Sequence, residues 1–83
     1  MAQCIITSFE NKVAVYFNDV IQNAEIEIAD MNRQKLIVKN YRNIDYAVVE
    51  LNDNTTGYFH VNIHTENGNF NKRVFINTKK VKL

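Results

Sequence analysis

The sequence predicts an all-β domain, and three observations carry that prediction. Apolar residues recur with period two, as they do along half-buried strands, and no window holds an apolar stripe of helical period. β-Branched residues and Asn are abundant; the first suit pleated strands and the second suits turns, where its side chain bonds its own backbone. Turn signals recur at about ten-residue intervals, the spacing of an antiparallel sandwich or small barrel.

Seven strands follow in order. The first covers residues 4–9 and ends at the tight turn Glu10-Asn11. The second covers 12–17, with Val13, Val15 and Phe17 on one face and Ala14 and Tyr16 on the other. A polar connection, 18–23, leads to the third strand, 24–30, where Ile26 and Ile28 point inward between Glu25 and Glu27. Met31-Asn32-Arg33 turns the chain into the fourth strand, 34–41. The fifth, 45–51, presents Ala47, Val49 and Leu51 to one side. After the loop 52–56, the sixth strand, 57–65, alternates Phe59, Val61 and Ile63 with His60, Asn62 and His64. Asn67-Gly68 then gives the strongest hairpin signal in the chain, because both central residues of a type I′ turn need positive φ. The seventh strand is 69–77. Residues 1–77 thus read as one antiparallel immunoglobulin-like β-sandwich, and 78–83 as a basic tail; no linker or internal repeat divides the chain.

The 83 residues leave room for one core. A domain of this size buries only about 60% of the surface its unfolded chain exposes, so its stability margin is thin. Cys4 is the only cysteine, which rules out an internal disulfide and any thiolate metal cluster, and an unpaired thiol points towards a reducing compartment. No basic stretch followed by a long apolar run marks a signal peptide, and the first apolar run, Cys4-Ile5-Ile6, is far too short to span a membrane. The net charge of +1 calls for no nucleic-acid partner. It is unevenly placed: residues 1–30 carry one base and five acids, a balance of −4, and residues 31–83 carry nine bases and four acids, a balance of +5. If those halves occupied different faces, copies would attract one another head to tail.

Catalytic constellations are not expected. His60 and His64 share a strand face, but four residues of strand separate them by about 13 Å, whereas one zinc ion holds its nitrogens at about 2 Å. Cys4 and Ser8 lie far from both histidines in the sequence and sit in no nucleophile motif. Gly57 and Gly68 both read as turn residues, so no glycine loop cradles a phosphate. Glu25 and Glu27 pair on an outward face, without the burial that would raise one carboxyl for acid catalysis; they read as charges guarding a sheet edge. Lys79, Lys80 and Lys82 read as a solvated terminus, and the sequon Asn54-Thr55-Thr56 carries little weight without a secretion signal. Neither cofactor nor metal is expected, nor a small-molecule substrate.

The outward apolar residues are the candidate contact surface. Tyr16, Tyr46 and Val48 face away from the core, and in the expected sandwich their strands are neighbours, so the three form one patch. Phe75 and Ile37 are expected to face outward elsewhere. Exposed tyrosines supply contact area at low entropic cost. The competing reading is that they only stabilise cross-strand pairs.

Leu51, Gly57-Tyr58-Phe59, Val61-Asn62-Ile63, Glu66-Asn67-Gly68 and Lys72-Arg73-Val74-Phe75-Ile76, with 24–30 upstream, make a further pattern. Over residues 13–76 it resembles the C-terminal sorting domain of proteins exported by the type IX secretion system, and related small immunoglobulin-like domains of the same bacteria. The chain departs from that family in places. Phe59 stands where the family has Tyr, Thr55 where it has Pro, Asn54 where it has Leu, and no Pro-Asn-Pro lies near Tyr16-Phe17-Asn18. Arg33 stands where the family turn has Gly, a strain of about 1 kcal/mol if its φ is positive. The resemblance implies an immunoglobulin-like fold and an exported, cell-surface or sorting module. The missing signal favours a different expectation: a non-enzymatic protein decorating a phage capsid, in the virion or the cytoplasm of an infected bacterium, docked on a protein lattice or on copies of itself.

Overall fold

The computed structural model describes residues 4–77 and draws them into five antiparallel strands: β1 (Cys4–Phe9), β2 (Lys12–Ala29), β3 (Lys35–Glu50), β4 (Thr56–Thr65) and β5 (Gly68–Asn77). The expected basic tail, 78–83, lies outside the described residues. The strands form one curled sheet, with extents of 42 × 28 × 19 Å.

Five strands stand where the alternation suggests seven, because β2 and β3 each run through a segment that reads as a connection. Residues 18–23 hold no Gly or Pro to stop a strand, and the chain stays extended. Pairing passes from Tyr16↔Tyr46 to Ile21↔Ile44, so five residues of β2 are set against two of β3. This bulge bends the ladder and increases its twist. Asn43 lies opposite with φ 55°, a left-handed conformation that Asn tolerates better than most residues. Glu66 supports the bend from the β4–β5 turn. Its carboxylate accepts the backbone N–H of Gln22 at 2.7 Å and of Asn23 at 3.0 Å, which holds the carboxyl below its usual range.

β3 accompanies β2 along both of its ends, so β1 and β4 share the other side of β2. β1 pairs with residues 12–17 and β4 with residues 24–29. The bend brings β1 round to β5, where side chains rather than a ladder close the sheet. The Ser8 hydroxyl donates to the Phe75 carbonyl at 2.9 Å, and the Lys72 ammonium donates to the Ile6 carbonyl at 2.8 Å. Both contacts advance in the same sense along the chain, so β1 and β5 run parallel at this seam.

The concave side holds one continuous core. Val13, Val15, Phe17, Ile26 and Ile28 of β2 meet Ala47 and Val49 of β3, Phe59, Val61 and Ile63 of β4, and Val74 and Ile76 of β5. The inward positions expected from alternation are all buried here. Ile37 is not outward as expected: it pairs with Ile28 and packs against the core, because the register puts it on the inner face of β3.

The turns refine the sequence reading. Glu10 takes φ 51°, and Asn11 folds inward. Its side-chain amide donates to Leu51 O at 2.7 Å and Asp53 Oδ1 at 3.1 Å, while its carbonyl accepts the Leu51 N–H at 2.7 Å. Asn11 thus ties the β1–β2 turn to the end of β3. At the β4–β5 hairpin the turn residues are Glu66 and Asn67, one earlier than expected, and only Gly68 has positive φ (137°), so the turn is not type I′. Thr65 takes over part of the work, accepting the Asn67 N–H at 3.0 Å and donating to the Gly68 carbonyl at 2.8 Å. Gly57 lies within β4, opposite Ile76, rather than in a turn.

Candidate interaction surface

The pairing that buries the core puts the intervening residues outward in cross-strand rows. On the half built from β1 and the facing ends of β2 and β3, the rows are Ile5–Tyr16–Tyr46, Thr7–Ala14–Val48 and Phe9–Lys12–Glu50. Ile5 is 62% exposed, Tyr16 46% and Tyr46 43%. The two tyrosine rings lie 4.5 Å apart between centroids with a 45° tilt, a spacing typical of an attractive aromatic pair. A side-chain hydrogen bond with Tyr16 pushes the Tyr46 phenol up from its ordinary value. Val48, half-buried, sits in the next row beside Ala14. Three of the expected contact residues, Tyr16, Tyr46 and Val48, are therefore brought together, and Ile5 joins them. Alternation alone does not bring in Ile5, because its membership depends on the β1–β2 register.

Phe75 is exposed as expected but belongs to a different cluster. It stands opposite Tyr58 on β4, with ring centroids 5.0 Å apart at 61°, and the Arg73 guanidinium lies 5.2 Å from the Tyr58 ring centre. Alternation with Phe59 puts Tyr58 outward, but the sequence does not say that Phe75 lies opposite it.

Beyond Tyr58 the same face turns polar. His60 pairs with Arg73, Asn62 with Asn71, and His64 with Asn69. On the other side of β4, Glu25 and Glu27 of β2 stand opposite His64 and Asn62. Glu27 accepts from Lys35 at 3.1 Å and from the Asn62 amide at 3.1 Å, and the Lys35 ammonium is the main cause that holds its carboxyl below the usual range. The His64 Nδ1 and Asn69 Oδ1 are 3.1 Å apart. Glu25 and Glu27 of β2 thus lie beside β3, which bears Lys35 and Arg42, while Arg73 stands on β5 beyond β4. The acidic and basic halves of the sequence interleave here instead of taking separate faces, so the condition for head-to-tail attraction is not met among the described residues.

Cys4 and Ser8, the two candidate nucleophiles, take structural positions. Cys4 packs against the core, and burial pushes its thiol up, which disfavours the reactive thiolate. The Ser8 hydroxyl is engaged at the β1–β5 seam. His60 and His64 face the same way from β4 with Asn62 between them, each opposite a different β5 residue. Among the described residues no three His, Cys, Asp or Glu side chains gather as a metal site, and no helix is long and apolar enough to cross a membrane. The sequence matches no protein-family model and no curated protein.

Proposed function

We propose that this chain is a non-enzymatic structural and binding module, an auxiliary protein that decorates or stabilises a phage capsid, docked through the Ile5–Tyr16–Tyr46 face. The observation that carries the reading is that face: three apolar side chains, exposed and in register across three strands, with Val48 beside them. Contiguous exposed apolar area of this kind marks contact surfaces, and tyrosine is favoured there because little rotamer freedom is lost on binding. Repetition on a lattice lets many weak contacts add up through avidity.

The pairing pattern supports an immunoglobulin-like reading of the sheet. The bulge divides β2 and β3, leaving β1 with residues 12–17 and the end of β3 on one side. The start of β3, residues 24–29, β4 and β5 lie on the other. Counted as seven segments, this neighbour order is the one an immunoglobulin-like sandwich calls for, with the fourth segment beside the third as in the larger sheet of variable-type domains.

Proteomics of particles released by the strain that encodes the chain tests the reading. Recovery in many copies per particle supports capsid decoration. Recovery only as part of a longer exported protein sinks it in favour of the alternative, a sorting or cell-surface module.

A further inference from the structure

A second feature lies away from the aromatic row, and it is independent of the capsid reading. Ala29 is the last residue of β2 and stands opposite His60, which in turn stands opposite Arg73. A methyl group in a row of long polar side chains leaves a notch. This groove, of about 630 Å³, is lined by Ala29, His60 and Arg73, by Arg33 from the β2–β3 turn, and by Glu27 and Asn62.

The charges in this groove do not cancel. Glu27 is already engaged by Lys35 and Asn62, and ion pairing among the described residues is confined to Lys12–Glu10 and Lys35–Glu27. Arg33 and Arg73 therefore have no carboxylate partner there. Lys72 reaches the same groove, but its ammonium donates to Ile6 O and is spent on the seam. Arg73 is steadied by the Tyr58 ring, which fixes a guanidinium without using its N–H donors. Arg33 holds φ 65° in a turn closed by its own N–H to Asp30 O at 3.0 Å, with Asp30 also capping the Asn32 and Gln34 amides. A glycine would take that backbone without strain, so Arg33 sits there against local preference.

Two unpaired guanidinium forks and an imidazole around an alanine floor suit a compact tetrahedral oxyanion, since arginine N–H groups match phosphate oxygens in pairs. We infer that the notch formed by Ala29, Arg33, His60 and Arg73 is a binding site for free phosphate or a small phosphate monoester. The site is open to solvent, so binding is weak and sensitive to salt.

Titrating the full chain with sodium phosphate, with sodium chloride balancing the ionic strength, tests this by backbone amide NMR. Saturable shifts centred on Ala29, Arg33, His60 and Arg73 are expected. Glycerol phosphate should bind within a few-fold of phosphate, and glycerol not at all. Arg73→Gln should weaken binding roughly fivefold or more, the effect of losing one charge-assisted pair. Arg33→Gly should do the same while melting no lower than the parent, so its loss of binding cannot be assigned to misfolding. Linear shifts, shifts elsewhere, or an Arg33→Gly protein that binds like the parent would overturn the site. So would a short DNA duplex binding more than tenfold tighter than phosphate, which would make this a nucleic-acid surface.

Discussion

The two outward faces of this sheet are built from the same alternation and share strand β2, yet they carry opposite chemistry. At the first half of β2 the outward positions are Lys12, Ala14 and Tyr16; Ile5, Val48 and Tyr46 join the latter two, and Lys12 with Glu50 closes the far edge. At the second half they are Glu25, Glu27 and Ala29, joined by His60, Asn62, His64 and Arg73. The inward positions differ little: Val13, Val15 and Phe17 in one half, Ile26 and Ile28 in the other. Folding constrains only the inward set, so the two faces are free to diverge, and their divergence is where function is to be sought.

The comparison breaks most sharply if the two halves do not share a core. Ile26→Ala, which removes a fully buried side chain beneath the polar face, should cost about 3 kcal/mol, within the range for such truncations. Urea unfolding should remain a single transition seen equally by tyrosine fluorescence and by circular dichroism. Two separated transitions would show two independent halves.

Asn11→Ala comes next. It leaves the Leu51 carbonyl without its amide donor, which should cost about 1–2 kcal/mol in the same denaturation assay. A neutral result would mean that water replaces the amide and that Asn11 does not pin the aromatic half.

The double substitution Tyr16→Ser with Tyr46→Ser separates contact from stability. Removing an exposed cross-strand pair should cost no more than about 1 kcal/mol and should leave the fold intact by circular dichroism, while binding to the partner weakens. Unchanged binding would remove the aromatic row as the contact surface, and unfolding would show that it serves the core.

The smallest expected effect concerns Glu66, at the bend between the faces. Its folded carboxyl is depressed by the Asn23 and Gln22 amides, so its contribution is present above the unfolded carboxyl value and is lost as pH falls through the folded one. Glu66→Gln should therefore lower the melting temperature at neutral pH, with the gap to the parent closing as the solution is acidified. A gap constant with pH would mean that the charge plays no part.

Much of the core was legible because a two-residue period allows only one buried set: Val13, Val15, Phe17, Phe59, Val61 and Ile63 could be assigned from alternation alone. The continuity of β2 was not. Asn18 to Asn23 look like a loop because polar residues usually mark one, and only pairing with β3 shows that they stay extended. Ile37 was misread because it sits in the apolar run Leu36-Ile37-Val38, where alternation does not say which residue faces the core; only its pairing with Ile28 does. Tyr16, Tyr46 and Val48 could be grouped once their strands were known to be neighbours. Ile5 and Tyr58 could not, since each depends on which residue of another strand lies opposite. The notch at Ala29 was invisible for the same reason: Arg33, His60 and Arg73 are far apart in the chain and meet only through two registers.

β2 is also a ruler. Tyr16 of the aromatic row and Ala29 of the notch lie thirteen residues apart on one strand, at most about 43 Å if fully extended, less with the bulge between them. No hinge or linker separates the aromatic row from the notch. Whatever rests on one is held at a set distance and angle from whatever rests on the other, and lengthening that distance would mean tearing the β2–β3 ladder.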